Sequence, residues 1–260
     1  MSQGSVFLVA GLVSALIMFI LWMRQLSTRN AGTVDIACAF VTAIVAIWLV
    51  SNVNGDLSRK LLITVMAGVW GFRLGIHLLR RVMNEQEDGR YRAMREALGT
   101  KAHLVFFLFF QVQALWALMF ALPMWAAAQS NRAGLTQLDI LALVVWFVAM
   151  FGEYLADKQL SRFRENPDNK GNVCQEGLWQ YSRHPNYFFE WLQWWAYALI
   201  AMGSPWWWIT WVAVVVMLVF LLKVTGIPHT ERNALRSRGE AYKRYQQTTS
   251  VFFPLPPKSV

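Results

Sequence analysis

The sequence predicts an all-α integral membrane protein, and three observations carry that prediction. The 260 residues are 56% hydrophobic and include 14 Trp, more apolar surface than a soluble domain of this length needs. Seven apolar runs approach the roughly 20 residues that carry a helix across a bilayer. Nineteen of the 24 Lys and Arg fall in alternate connections between those runs.

The runs lie at about 5–23, 34–50, 61–79, 103–127, 137–156, 186–203 and 206–222. The first is expected to be a true span, since Met1 to Ser5 carries no cation and no small-residue cleavage site follows. The second and sixth are short, which suits tilted or partly buried helices. The cationic connections follow the first, third, fifth and seventh runs. The opposite side holds Arg59, Lys60 and Arg132. The positive-inside rule then puts the N-terminus outside and the C-terminus in the cytoplasm. Trp22, Trp48, Trp125 and Trp206 to Trp208 fall near run ends, as in an aromatic belt. A single seven-span domain over 1–260 is expected, in a bacterial cytoplasmic membrane.

The net charge of +9 fits that rule and anionic lipid, or an anionic ligand held by the polar cytoplasmic loops. With no soluble basic module, nucleic acid is not expected as a partner. Cys38 and Cys174 have no CxxC partner, so neither a disulfide framework nor a zinc site is expected.

The most informative stretch is Gly177 to Glu190, a polar basic turn that runs into an apolar helix. His184 precedes a proline and Pro185 suits a first helical turn, so a helix is predicted from about Pro185. Asn186 and Glu190 then share a face, one turn apart. The first-turn amides and the positive dipole end suit a phosphate or an amide-bearing ligand. Capping with a basic interface residue explains Arg183 to Asn186, but not Glu190 within an apolar run.

Upstream, Glu153 and Asp157 share a helical face, followed by Arg164. They form either part of a ligand site or an ion pair with Lys158 or Arg162. Arg73 and His77 lie one turn apart inside the third run. Asp35 is a candidate partner of Arg73, as a structural pair or as a substrate contact. The segment Arg80 to Arg92 is expected to continue the third helix out of the membrane. The chain is expected to leave the helix at Asn166-Pro167, and a helical tail is expected from Ala234 to Tyr245, ending before Phe252 to Pro257. His229 and Glu231 follow Pro228 without an HExxH pattern, so no metal site is expected.

At these residues the chain resembles a bacterial member of the membrane steroid 5-alpha-reductase family. The resemblance runs through Glu176 to Glu190, the Asp157 to Arg164 spacing, Glu87-Asp-Gly-Arg-Tyr91 and the tail to Tyr245 and Pro254. It covers roughly the C-terminal half, and the first three spans match mainly in layout. It implies a seven-span reductase that uses NADPH to reduce the carbon–carbon double bond of a lipophilic enone, such as a 3-oxo-4-ene steroid. It implies that Glu153, Asp157, Arg164, Asn186 and Glu190 hold the cofactor, and extends that set to Tyr181, Arg183, His184, Tyr187, Lys223, His229, Glu231 and Tyr245. Two positions depart from the pattern: Glu153 stands where the eukaryotic enzymes have Asn, and Lys223 replaces an arginine, losing the two-pronged contact. For the family's substrate-binding glutamate and tyrosine, the chain offers Asp35 and Trp70 at comparable places, with Arg73 beside them as the third candidate catalytic residue.

No GxGxxG-bearing strand–turn–helix unit is present, so the cofactor would be gripped between helices and loops. The same Arg-His-Pro-Asn-Tyr pattern, with a Glu-Arg pair as in Glu231-Arg232, also resembles isoprenylcysteine carboxyl methyltransferases, which use S-adenosylmethionine. A third reading is a non-enzymatic membrane protein, which binds no cofactor.

Overall fold

The computed structural model describes residues 1–84, 87, 89–224 and 226–258, and all regular structure among them is helical. It resolves into two compact units, Met1–Leu135 with Ala201–Ile209, and Thr136–Ile200 with Thr210–Val260.

The first unit contains α1 (Gln3–Thr28), α2 (Thr33–Ser51), α3 (Leu57–Asn84), α4 (Gly89–Leu98) and α5 (Ala102–Ala128). Ser2 caps α1 by accepting from the Ser5 amide at 3.2 Å. The centre of the unit is α2, which packs against α1, α3 and α5. Its small side chains permit this: Ala39, Ala43 and Ala46 are buried on it, and a Cβ at Gly71 of α3 would stand 2.4 Å from that of Ala43. In lipid, such close approach supplies the dispersion contacts that hold helices together. The α2–α3 connection is tied to the segment after α5. Fully buried Arg59 donates to the Arg132 carbonyl at 2.7 Å, and Asp56 accepts from the Gly134 amide at 3.0 Å. Arg59, one of the three cations on the less basic side, thus acts as an internal clasp.

The second unit contains α6 (Gln137–Glu165), α7 (Pro185–Ile200), most of α8 (Trp207–Val219), α9 (Ile227–Arg238) and α10 (Glu240–Thr248). Thr136 and Asp139 form a capping box that starts α6. It ends at Glu165, where Asn166 before Pro167 takes extended dihedrals. The most extensive helix pairing in the chain is α6 with α7. Buried Ala142, Ala149, Gly152 and Ala156 line the buried side of α6, and the ring of Phe189 occupies the space a Cβ on Gly152 would need. After α8 a π-helical turn, Phe220–Val224, leads into α9.

Six helical runs among the described residues are long and apolar enough to cross a membrane. The seven predicted apolar runs coincide with helices, apart from 201–203 after α7 and Trp206 before α8, which are turns. However, α7 has only 16 residues, roughly 24 Å at 1.5 Å per residue, against about 30 Å of hydrocarbon. The tail differs from the single helix expected: Gly239, at φ 51°, breaks it into α9 and α10. The expected continuation of α3 through 80–92 is described only to Asn84, with α4 beginning at Gly89; Glu85, Gln86 and Asp88 lie outside the described residues.

The α2–α3 contact yields a test. Gly71→Val forces branched atoms against Ala43 and the Ala39 carbonyl, 3.1 Å from the Cβ position. The expected cost is about 2 kcal/mol, read as a lower thermal midpoint in detergent; a wild-type midpoint would contradict this packing.

Candidate functional site

The short loop before α7 positions the site. Gly177 takes φ 58°, and the Gln159 side chain fills the space beside it. Leu178 donates its amide to Gln159 Oε1 at 2.9 Å, and the Trp179 indole donates to the Ala156 carbonyl at 2.9 Å. The loop is thereby laid back on α6, and α7 starts at Pro185 as the sequence predicts.

That placement sets Asn186 against α6. Its Nδ2 donates to Asp157 Oδ1 at 3.2 Å, while its buried Oδ1 has no hydrogen-bond partner among the described residues. Down α7, Glu190 accepts from Gln193 Nε2 at 3.0 Å. Further on, Tyr197 is fully buried, with Glu190 and the α6 residue Trp146 close to its hydroxyl. The positions 186, 190, 193 and 197 repeat at helical spacing and form one stripe. On α6, 146, 153 and 157 repeat in the same way, with Glu153 buried. The two helices run antiparallel, and their polar stripes meet with Asp157 and Asn186 at one end and Trp146 and Tyr197 at the other. Sequence reasoning found the first end but missed Trp146, Gln193 and Tyr197. The signal was present in the 186, 190, 193, 197 spacing but hidden in an aromatic-rich run.

The other predicted residues of this unit form a second cluster. Glu231 of α9 accepts from Arg183 Nε at 2.7 Å, His184 Nε2 at 3.3 Å, Tyr242 at 3.2 Å and Gln246 at 2.7 Å. Arg183 also donates to the carbonyls of Gln246 and Thr249. Tyr245 donates to the Ser182 and Trp179 carbonyls. Tyr181 is exposed, and its carbonyl accepts from the Leu255 amide at 3.0 Å. Tyr187 stacks on His184 at 5.5 Å and its hydroxyl lies 3.3 Å from that of Thr230. Arg183, His184, Glu231 and Tyr245 thus fasten the tail to the loop that starts α7. His229 pairs with Asn233 at 2.9 Å, and Arg164 and Lys223 are exposed.

Burial holds the His184 imidazole below its ordinary value of 6.5, and the Glu231 hydrogen bond only partly opposes this. The neutral ring carries its hydrogen on Nε2, facing the carboxylate.

Asp35, Trp70 and Arg73 belong to the first unit. Asp35, in the first turn of α2, accepts from Tyr91 at 2.7 Å and forms an ion pair with Arg90 at 3.0 Å. Trp70 is buried on α3, and Arg73 is half-buried one turn on. Glu87 accepts from the Ala31 amide at 3.0 Å and pairs with Arg95 at 2.9 Å. Glu87, Arg90 and Tyr91 therefore hold the start of α2 and its carboxylate. Among the described residues no group of His, Cys, Asp and Glu is arranged to hold a metal.

Two tests follow. Glu231→Gln leaves the Arg183 guanidinium, 10% exposed, without its carboxylate; the expected cost is about 3 kcal/mol, with faster proteolysis of the tail. A tail cleaved at the wild-type rate would contradict the clamp. The unfolded chain binds a proton at His184 before the folded one does. Stability is therefore complete above pH 6.5 and falls as pH drops from there toward the depressed folded value. His184→Gln should flatten that decline in thermal midpoint, and an unchanged decline would contradict it.

Among curated proteins, no match to the chain is found. A family model described as "Protein of unknown function (DUF1295)" matches residues 21–249. The chain, matched over most of its length, belongs to the DUF1295 family.

Proposed function

We propose that the protein is an NADPH-dependent reductase of a lipophilic enone, with the outer end of the α6–α7 stripe as its cofactor site. The observation that carries this reading is Asn186. Its amide nitrogen is engaged by Asp157, so its orientation is fixed, and its buried Oδ1 is left to accept from a ligand. A buried amide oxygen without a partner costs about 1–3 kcal/mol, which a bound N–H or O–H donor removes. The ribose hydroxyls and the carboxamide of NADPH carry such donors. The residues present therefore fit the group.

The chain's own groups would divide the work. First-turn amides of α7 and its positive dipole end favour phosphate. The exposed cations Arg164 and Lys223 add charge of the right sign. Asp157 holds Asn186 in one orientation, and Gln193 does the same for Glu190. The Glu231 clamp sets where α7 starts. When bound, NADPH supplies a hydride to the β carbon of the enone. The protein's share is to orient the partners, exclude water and stabilise charge on the carbonyl oxygen. Charge asymmetry supports seven spans with the N-terminus outside and the cofactor site facing the cytoplasm of a bacterial cell. Asp35, Trp70 and Arg73 are the substrate-side candidates that the family resemblance supplies. Membrane lipid is the expected route and solvent for such a substrate.

The test uses the purified protein in detergent, titrated with NADPH and then mixed with a 3-oxo-4-ene steroid while absorbance is followed. NADPH binding and steroid-dependent oxidation are expected. Asn186→Ala and Glu190→Gln should each weaken NADPH binding about tenfold, the worth of one good hydrogen bond, while leaving the elution profile intact. Tight binding of S-adenosylmethionine with no NADPH binding would replace this reading with the methyltransferase one. Binding of neither would favour a non-enzymatic protein.

A further inference from the structure

Two carboxylate–amide pairs on the α6–α7 stripe repeat one arrangement. Asn186 donates from Nδ2 to Asp157, and its buried Oδ1 has no partner among the described residues. Gln193 donates from Nε2 to Glu190 Oε1 at 3.0 Å, and its own buried Oε1 likewise has no partner among the described residues. Gln193 is 1% exposed. A carboxylate accepts, so in each pair it engages the amide nitrogen and leaves the amide oxygen over. Asn186 and Gln193 stand seven positions apart on one helix. That is close to two turns, so they share a face with roughly 10 Å between them along the axis.

The Asn186 oxygen is used by the cofactor reading, and the Gln193 oxygen is not. Lipid has no donor to offer it, so it needs an N–H or O–H from a ligand. The order of charge along α7 decides which part of the ligand reaches it. The pyrophosphate suits the first-turn amides. Glu190 comes next inward, and its carboxylate accepts from ribose hydroxyls but opposes phosphate. The adenosine half of NADPH carries a further phosphate on its ribose, which excludes that half from this direction. The nicotinamide half carries a free ribose diol and ends in a neutral carboxamide. Beyond Glu190, α7 has no charged residue, so its inner part takes a neutral group. We infer that Gln193 Oε1 accepts from the carboxamide NH2 of the nicotinamide, and that the cofactor lies along α7 with its nicotinamide end inward. The inference rests on the NADPH reading and adds to it a specificity-determining residue. A buried acceptor placed for one N–H discriminates strongly against an analogue that lacks it.

The test compares two ligands that differ at that group alone. Wild-type protein in detergent is titrated calorimetrically with NADPH and with its reduced 3-acetylpyridine analogue, in which a methyl replaces the carboxamide NH2. The same titrations are made on Gln193→Met, which keeps the length of the side chain and loses the amide, and gel filtration checks that it is folded. Wild type is expected to bind the analogue about tenfold more weakly than NADPH, the worth of one hydrogen bond. In Gln193→Met that preference should collapse to near one. Any disturbance of Glu190 lowers both ligands alike, so the ratio reports the contact. Equal affinities in wild type would overturn the inference without any variant, and a tenfold preference that persists in Gln193→Met would overturn it too. Either result leaves the reductase reading standing, because NADPH still binds. No NADPH binding by wild type would overturn that reading, and the inference with it.

Discussion

A helix pair that packs in lipid has no water to satisfy its polar side chains, so every such group needs a protein or ligand partner. The α6–α7 pairing is organised by that constraint. Small residues on α6 let α7 come close, and the close approach brings two polar stripes together. Asp157 and Asn186 satisfy part of each other; Glu190 and Gln193 do the same. At the outer end one buried amide oxygen, Asn186 Oδ1, is left over among the described residues. An accidental polar pair would favour replacement by apolar residues of similar size. A ligand that donates to Asn186 Oδ1, as the proposed cofactor would, meets what this end leaves unsatisfied.

The stripe depends on the register of α7, and the register depends on the cluster around Glu231. Arg183 and His184 precede α7 directly, and both are held by one carboxylate from α9. Tyr242 and Gln246 of α10 donate to that same carboxylate, and Tyr245 reaches the Trp179 and Ser182 carbonyls behind the loop. A charged residue in a motif need not touch the ligand. Here Arg183 acts on the site by fixing where Asn186 stands.

The long apolar runs and their ends were legible in the sequence because lipid enforces a length and a composition. Pro185 and Asn166-Pro167 marked helix limits because the residue before proline avoids the helical region. The Asp157–Asn186 end of the site was legible because charged and amide residues stand out against apolar runs. Other features were hidden for physical reasons. Gly239 looks like an ordinary helical glycine until its positive φ splits the tail. The acceptors of Arg90 and Tyr91 lie 55 and 56 residues away at Asp35, where no local pattern points. Tyr197 and Trp146 read as packing aromatics, since neither carries a charge and they come together only once α6 and α7 are paired.

The central claim is that the α6–α7 stripe is a nicotinamide-cofactor site. Hydrogen-exchange mass spectrometry of the detergent-solubilised protein, with and without NADPH, tests it most directly. The account predicts slower exchange on NADPH addition in the loop and first turns of α7, from Gly177 to Glu190, and around Asp157. Exchange there unchanged at saturating NADPH, or protection only elsewhere, would contradict it.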